Sequence, residues 1–386
     1  MGERRRGGRK TDGGSSARGK PWQPPSTLPP LYAGWIDDLL GGSLPHESEA
    51  TCEDCAMRPS GPAEAGTLVF AAETKCCTYV PEVPNFLVGR ILDDPDPAFA
   101  PGRATVDQRI DARVGVTPLG LGRPPVHLLL YGHGASRGFG RAKTLRCPHY
   151  RADAGGACGI WRHRNAVCAT WFCKHVRGAT GQRFWRSLEQ LLSIAERELS
   201  RYCLLQIGVE AEMLARLLPH GSDRGAVASN LDAAALDGEA DDSAYRAVWG
   251  TWQGRERELF RRAAAVVNDL RWDDVLRIGG ASVEALARVT AAAYHRHGDE
   301  GLPTRLVVGA FQSVATGHAR VRVVTYSPFD PLELPRLLVD VLPYFDGRPT
   351  AEALARIQAQ RGINVQPDLV RRLVDFGLLV EPGPIP

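Results

Sequence analysis

CPHYRADAGGACGIWRHRNAVCATWFC, residues 147–173, carries cysteines at 147, 158, 168 and 173. Working outward, Cys76-Cys77 lies upstream, and Cys52-Glu53-Asp54-Cys55 lies upstream of that. Eight of the nine cysteines therefore fall between Cys52 and Cys173, and only Cys203 lies beyond them. Average composition does not supply thiols at that density. Metal ligation requires soft, deprotonated donors that converge, and a Cys-x-x-Cys turn brings two sulfurs to one ion. Neighbouring side chains in an extended chain point apart. Cys76 and Cys77 are thus expected to serve two ions, or one of them to ligate while the other packs.

Disulfides and redox-active free thiols are the competing readings. The chain has 386 residues, which suggests two or three domains. Met1–Lys20 contains no apolar run, so no signal peptide is expected and the cytoplasm is the expected compartment. No apolar stretch reaches the roughly 20 residues that crossing a bilayer requires. Grouped thiols in such a chain read as metal ligands rather than disulfides. The candidate metal ligands are Cys52, Cys55, Cys76, Cys77, Cys147, Cys158, Cys168 and Cys173. Cys203 lies beside an apolar helical stripe and reads as a small buried hydrophobe.

Residues 137–177 hold nine Lys/Arg and one acid, Asp153, a setting that would offset a thiolate–metal anion. His133, His149, His163 and His175 lie in the same region. His149 and His175 each follow a cysteine by two residues and are candidates to complete a mixed Cys/His site. Four thiolates around zinc and an oxidised four-iron cluster on four cysteines carry the same net charge of about −2. Zinc and an iron–sulfur cluster both remain open on spacing alone. Gly132-His133-Gly134 to Gly138-Phe139-Gly140 follows a strand-like Val126–Tyr131, but no helical pattern comes after it. It reads as a connection rather than a nucleotide loop.

The wider pattern predicts an α+β fold with a loop-rich, metal-bound cysteine domain, a helical middle region and a C-terminal winged-helix-like domain. Residues 1–30 read as a disordered basic tail. Its first 20 residues have seven Lys/Arg against two acids, or +5 of the chain's net +3, leaving −2 for the rest. Residues 45–180 form the Gly-, Pro- and Cys-rich cysteine segment, with strands expected at Thr67–Ala71 and Val126–Tyr131. Asn85–Leu92 reads as a helical turn or a strand. In the helical region, 181–300, Phe184, Leu188, Leu191, Leu192, Ala195, Leu199 and Tyr202 predict a helix over 183–207. Further helices are expected over 243–269 and 282–296. In residues 301–386, strands at Arg305–Phe311 and Ala319–Tyr326 precede helices over 333–343, 350–360 and 367–376. Thr350 is expected to cap the second of these, Pro367 to open the third, Gly377 to stop it, and a terminal strand to follow.

The stretch from Cys147-Pro148-His149-Tyr150 to Cys158-Gly159-Ile160-Trp161-Arg162-His163-Arg164-Asn165-Ala166-Val167-Cys168 resembles the second half of the zinc- or iron-chelating cysteine-cluster (YkgJ-like) family. Trp161 stands where that family has Tyr, Arg164 where it has Arg, and Asn165 where it has Pro. The family's first half, Cys-x-x-Cys-x-x-Cys-Cys, compares with Cys52, Cys55, Cys76 and Cys77, with an insertion of about 20 residues. The resemblance covers 52–175 and implies iron or zinc binding, including an iron–sulfur cluster. A related cysteine cluster occurs in flagellin lysine N-methylase. Leu337–Val380, with its Phe345-Asp346-Gly347 turn, resembles the small peptide-binding domains related to PqqD.

These readings lead to a metal-binding protein holding zinc or an iron–sulfur cluster through grouped cysteines. A cluster-dependent protein- or peptide-modifying enzyme, a methylase or an oxidoreductase, is the alternative; a metal-dependent regulator is the second. A protein or peptide partner is expected at 301–386. Nucleic acid is not, because Arg371 and Arg372 share the presumed recognition helix with Asp368 and Asp375. No catalytic residue can be named from the sequence.

Overall fold

The computed structural model describes residues 28–47, 55–58, 68–124, 126–128, 130–131, 138–218, 242–316 and 318–383. Cys52, His133, Thr67, and residues 1–27 of the basic tail lie outside the described residues. The fold mixes helices with small antiparallel sheets. None of the described helices is long and apolar enough to cross a membrane.

The centre of the molecule is the helix Gly178–Ile207. Its stripe of Phe184, Leu188, Leu191, Leu192, Ala195 and Leu199 is fully buried, as periodicity requires. Each large side chain so placed contributes about 1.5–3 kcal/mol of burial free energy. Cys203 completes the stripe; its thiol donates to the Ala263 carbonyl at 3.5 Å. Gly208 ends the helix in a left-handed conformation (φ 76°), with its N–H returned to the last turn.

Against this helix pack Glu256–Asn268 and Trp272–Gly298. The expected 243–269 helix is broken into Asp242–Trp249 and Glu256–Asn268 by a turn containing Gly250 and Gly254, both with positive φ. Trp272–Gly298 is two helical arms joined at Gly280 (φ 58°, ψ −152°), so helix begins ten residues earlier than the expected 282.

The cysteine segment is more helical than its composition suggests. Asn85–Asp93 settles as a helix that is buried almost all round, and Ala100–Ala112 follows it. Asn85–Asp93 lies so close to Glu256–Asn268 that a Cβ on Gly89 would sit 2.0 Å from the Phe260 carbonyl oxygen. One apolar core runs through Leu28, Tyr32, Phe86, Ile110, Ala166, Leu188, Phe260 and Val283. Residues on both sides of position 180 therefore share it. The helix Pro30–Leu40, which no sequence pattern announced, also belongs to it.

Two strand expectations are corrected. Residues 68–71 lie in no strand, and 126–128 with 130–131 are helical. Pro124 precedes the latter segment and its carbonyl accepts the Leu128 N–H at 3.1 Å. Proline suits a helix start, and no strand among the described residues pairs with this segment. The strands that do form here are short: Val83–Pro84 and Val116–Thr117 flank Gly120–Leu121, and Tyr150–Arg151 pairs with Ala157–Cys158.

After residue 300 a second core forms around Leu306, Val323, Phe345, Ile357, Val370 and Leu379. Arg305–Val308 pairs with Asp346–Pro349 and Leu379–Val380, while Arg320–Val324 pairs with Gln312–Ala315 and Leu332–Pro335. The two strands expected from the sequence thus lie in different sheets. Helices Arg336–Val341, Thr350–Arg361 and Pro367–Asp375 follow, the third opened by its proline and stopped at Gly377 (φ 75°). Thr350 is not a cap; its hydroxyl donates to the Pro303 carbonyl at 2.7 Å.

Candidate metal centre

Five short segments carry the thiols. Cys55 opens a turn closed by the Arg58 N–H on its carbonyl at 2.9 Å. Cys76 and Cys77 sit not on extended chain but in a compact turn, where the N–H groups of Lys75 and Thr74 return to Ala71 and that of Cys77 to Thr74. Lys75 takes a left-handed φ of 47°. The turn sends both adjacent thiols to the same side, and Cys77 hydrogen-bonds Cys76. The expectation that they point apart is therefore corrected.

Gly140 fixes that turn. Its carbonyl accepts the Ala71 N–H and the Thr74 hydroxyl, both at 2.8 Å, and its N–H donates to Thr78 Oγ1 at 2.8 Å. Gly140 has φ 73°, and a Cβ there would meet the Phe70 ring at 2.0 Å. Among the described residues of the glycine-rich stretch, this glycine has a structural task.

Cys147 joins the turn through its own N–H, which donates to the Cys77 carbonyl at 2.8 Å. Cys158 stands opposite Tyr150 in the small ribbon. Cys168 lies on the short helix Ala166–Thr170, whose N-cap Asn165 accepts the Cys168 N–H at 3.1 Å. Buried Glu196 accepts the Ala166 N–H at 2.7 Å and the Tyr32 hydroxyl, tying this helix to the core. Cys173 follows three residues beyond the helix Asn165 opens, and its carbonyl accepts Ser327 Oγ at 3.4 Å.

Cys55, Cys76, Cys77, Cys147, Cys158, Cys168 and Cys173 all line one cavity of about 220 Å³. Cys203 does not, and none of the described cysteines is in a disulfide. Among the described residues, no three His, Cys, Asp or Glu side chains form a ligand set for a single ion. Trp161, Trp171, Phe172, Phe139 and Val167 supply the apolar wall. Phe184 and Trp185, next along the chain, belong to the core. The wall is extended by Phe329 of the C-terminal unit, which meets Phe70 and Phe139 at ring separations of 5.7 and 5.8 Å.

Burial pushes the Cys147 and Cys173 thiols up to about 12, and raises Cys168 and Cys55. Charge repulsion among neighbouring sulfurs adds to this for Cys147 and Cys168. Cys76 runs the other way: the hydrogen bond from Cys77 stabilises its thiolate and raises Cys77 in turn. Thiols held neutral by burial release their protons to solvent when a metal ion binds to the sulfur in their place. Two buried cations stand beside them. Lys75 Nζ donates to the Gly155 and Gly156 carbonyls at 2.9 and 3.1 Å. Arg164 lies over the Trp161 ring at 3.3 Å and donates to the Cys168 carbonyl at 3.4 Å. In the sequence Lys75 stands out only as the neighbour of Cys76, and Arg164 only as the arginine of the family resemblance.

The histidines separate. His149 is 1% exposed and lines the cysteine cavity; its Nδ1 pairs with Thr105 Oγ1 at 2.7 Å, and its Nε2 has no hydrogen-bond partner. Burial and Arg109 push it down to about 3. His163 is held by Asp94 at 2.7 Å, away from the cavity. His175 lines a separate pocket with Tyr326 and Phe329.

Comparison with family models, with curated proteins and with solved structures finds no match to this chain.

Proposed function

We propose that this protein holds a polynuclear metal centre, an iron–sulfur cluster in preference to zinc, within the cysteine cavity. Seven thiols around one space carry the reading. All-sulfur donor sets favour zinc or iron–sulfur over harder cations. A single zinc ion, with Zn–S near 2.3 Å, draws its four sulfurs to within about 4 Å of one another. A four-iron cluster binds each of its four thiolates through a different iron and so accepts donors spread around its rim. Sulfurs that share a cavity without forming a single-ion set fit the second case better.

Cys147, Cys158, Cys168 and Cys173 are the first-choice ligands, followed by Cys76, Cys77 and Cys55. His149 offers a nitrogen ligand or a hydrogen bond to sulfur. Lys75 and Arg164 offset the negative charge, and the aromatic wall keeps water away. When bound, the cluster supplies one-electron chemistry.

We read residues 301–386 as a winged-helix-like unit that docks a protein or peptide rather than nucleic acid. Its third helix uses Arg371 internally, donating to the Gly301 carbonyl at 2.6 Å and pairing with Asp375, and its exposed Arg372, over the Phe376 ring at 5.8 Å, shares the helix with Asp368. A groove reader would keep both arginines for phosphates and bases.

The test is iron, zinc and acid-labile sulfide analysis of the full chain purified without oxygen, with its visible spectrum. Iron and sulfide in equal amounts and a broad visible band support the cluster. Zinc in a colourless protein moves the reading to a zinc centre, and the absence of both metals overturns it.

A further inference from the structure

Behind the cysteine cavity lies a second pocket of about 600 Å³ that no cysteine lines. The partition between them is Cys147-Pro148-His149. Cys147 and His149 face the cysteine cavity, and Pro148 faces the second pocket. The helix Ala100–Ala112 contributes Thr105, Gln108 and Arg109 to its wall, and Arg146 joins them. Apolar surface comes from residues such as Val80 and Leu130, and among the described lining residues there is no Asp or Glu.

Arg109 decides what this pocket is for. It is 9% exposed. Its Nη2 donates to the Gly122 carbonyl, while its buried Nη1 has no hydrogen-bond partner. A buried guanidinium without a counter-charge costs several kcal/mol. The Cys147 sulfur across the partition is within electrostatic reach, but it leaves the Nη1 donor without an acceptor. Nη1 itself is shielded from the pocket, so what an oxyanion there supplies is the missing counter-charge, and guanidinium groups favour carboxylate and phosphate. The volume lies in the usual range for small-molecule sites, roughly 300–1,000 Å³.

We propose that this pocket binds an organic acid, a carboxylate or phosphate ester with an apolar body, with its oxyanion held by Arg109 and Arg146. The apolar wall takes the body of the ligand and the two arginines its charged end. The proposal does not depend on the metal reading, because no cysteine takes part.

Titration calorimetry on the full chain tests it with benzoate, octanoate and phenyl phosphate, and with benzyl alcohol as the neutral analogue. At least one oxyanion binds, and the alcohol binds about tenfold more weakly or worse. Arg146→Gln and Arg109→Gln each weaken the oxyanion by about tenfold. Arg146 is exposed, so its variant folds and decides the matter even if Arg109→Gln does not. Oxyanion binding lost while metal content stays unchanged separates this site from the cysteine cavity. No binding of any oxyanion, equal binding of the alcohol, or unchanged affinity in Arg146→Gln would overturn the proposal.

Discussion

The N–H of Cys147 donates to the carbonyl of Cys77 at 2.8 Å, although 70 residues separate them in the chain. That single bond joins the two halves of the cysteine pattern. It fixes the Cys76–Cys77 turn beside the segment bearing Cys147, Cys158 and Cys168, so that thiols from both halves line one cavity.

The first prediction concerns Cys168. Cys168→Ser removes a donor from the cavity wall while Asn165 still caps the short helix. Metal content falls by at least half, and far-ultraviolet circular dichroism stays near that of the parent because Ala166 and Ala169 of the same helix, rather than Cys168, pack into the apolar core. Cys203→Ser is the control. Its thiol is in the core and its variant keeps the full metal content. Metal loss in Cys203→Ser but not in Cys168→Ser reverses the assignment.

Gly140→Ala places a methyl on a residue with φ 73° and against the Phe70 ring. The expected cost is roughly 1–3 kcal/mol, read as a lowered denaturation midpoint. Metal content falls with it, because the same glycine holds the Cys76–Cys77 turn. A variant as stable as the parent and fully loaded contradicts this role.

Glu196 gives a pH dependence. Burial pushes its carboxyl up to about 8 from an ordinary 4.5, so the folded protein keeps a proton that the unfolded chain releases. A group raised in this way stabilises fully below the unfolded value, and the contribution declines as pH rises through the folded one. Stability therefore falls between about pH 4.5 and 8. Glu196→Gln preserves the acceptor for Tyr32 and Ala166 and carries no proton to lose. Urea midpoints measured across pH 5.5 to 8.5, a window chosen from that pKa, flatten in the variant. Parallel slopes in the two proteins refute the assignment.

Asp94 anchors the turn that precedes Cys168. It accepts from His163 at 2.7 Å and Arg162 at 3.2 Å, and is 6% exposed. Burial pushes its carboxyl up, but the Asp96 N–H, His163 and Arg162 together hold it below its ordinary value. Asp94→Asn is expected to cost about 1–3 kcal/mol by weakening the hydrogen bonds from His163 and the Asp96 N–H, while Arg162 keeps its pair with Asp96 at 2.8 Å. Chemical denaturation of both proteins at neutral pH measures it, and a difference under about 0.5 kcal/mol counts against it.

Phe329 belongs to the C-terminal unit but backs Phe139 in the aromatic wall of the cavity. Phe329→Ala removes one edge and one tilted ring contact worth roughly 1–3 kcal/mol together. Loss of metal to a chelator then becomes several-fold faster, while the central helices melt as before. An unchanged chelation rate means that this wall does not control access.

Local chemistry was enough for much of this. Cysteine spacing marked the seven described thiols that share a cavity, since soft donors have few other reasons to be grouped. The 3.6-residue period found the central helix because its stripe depends only on neighbours along the chain. Pro367 and Gly377 were read as punctuation for the same reason, and both hold. What failed was non-local. Val126–Tyr131 has strand-like residues but no strand beside it, and Arg305–Val308 pairs with partners some 40 and 70 residues on rather than with its neighbour in sequence. Only the tertiary structure turned adjacent Cys76 and Cys77 into one cavity, buried Lys75, Arg164 and His149 among the thiols, and placed Arg109 behind them. Burial and long-range hydrogen bonds fix those positions, and neither leaves a periodic trace in the chain.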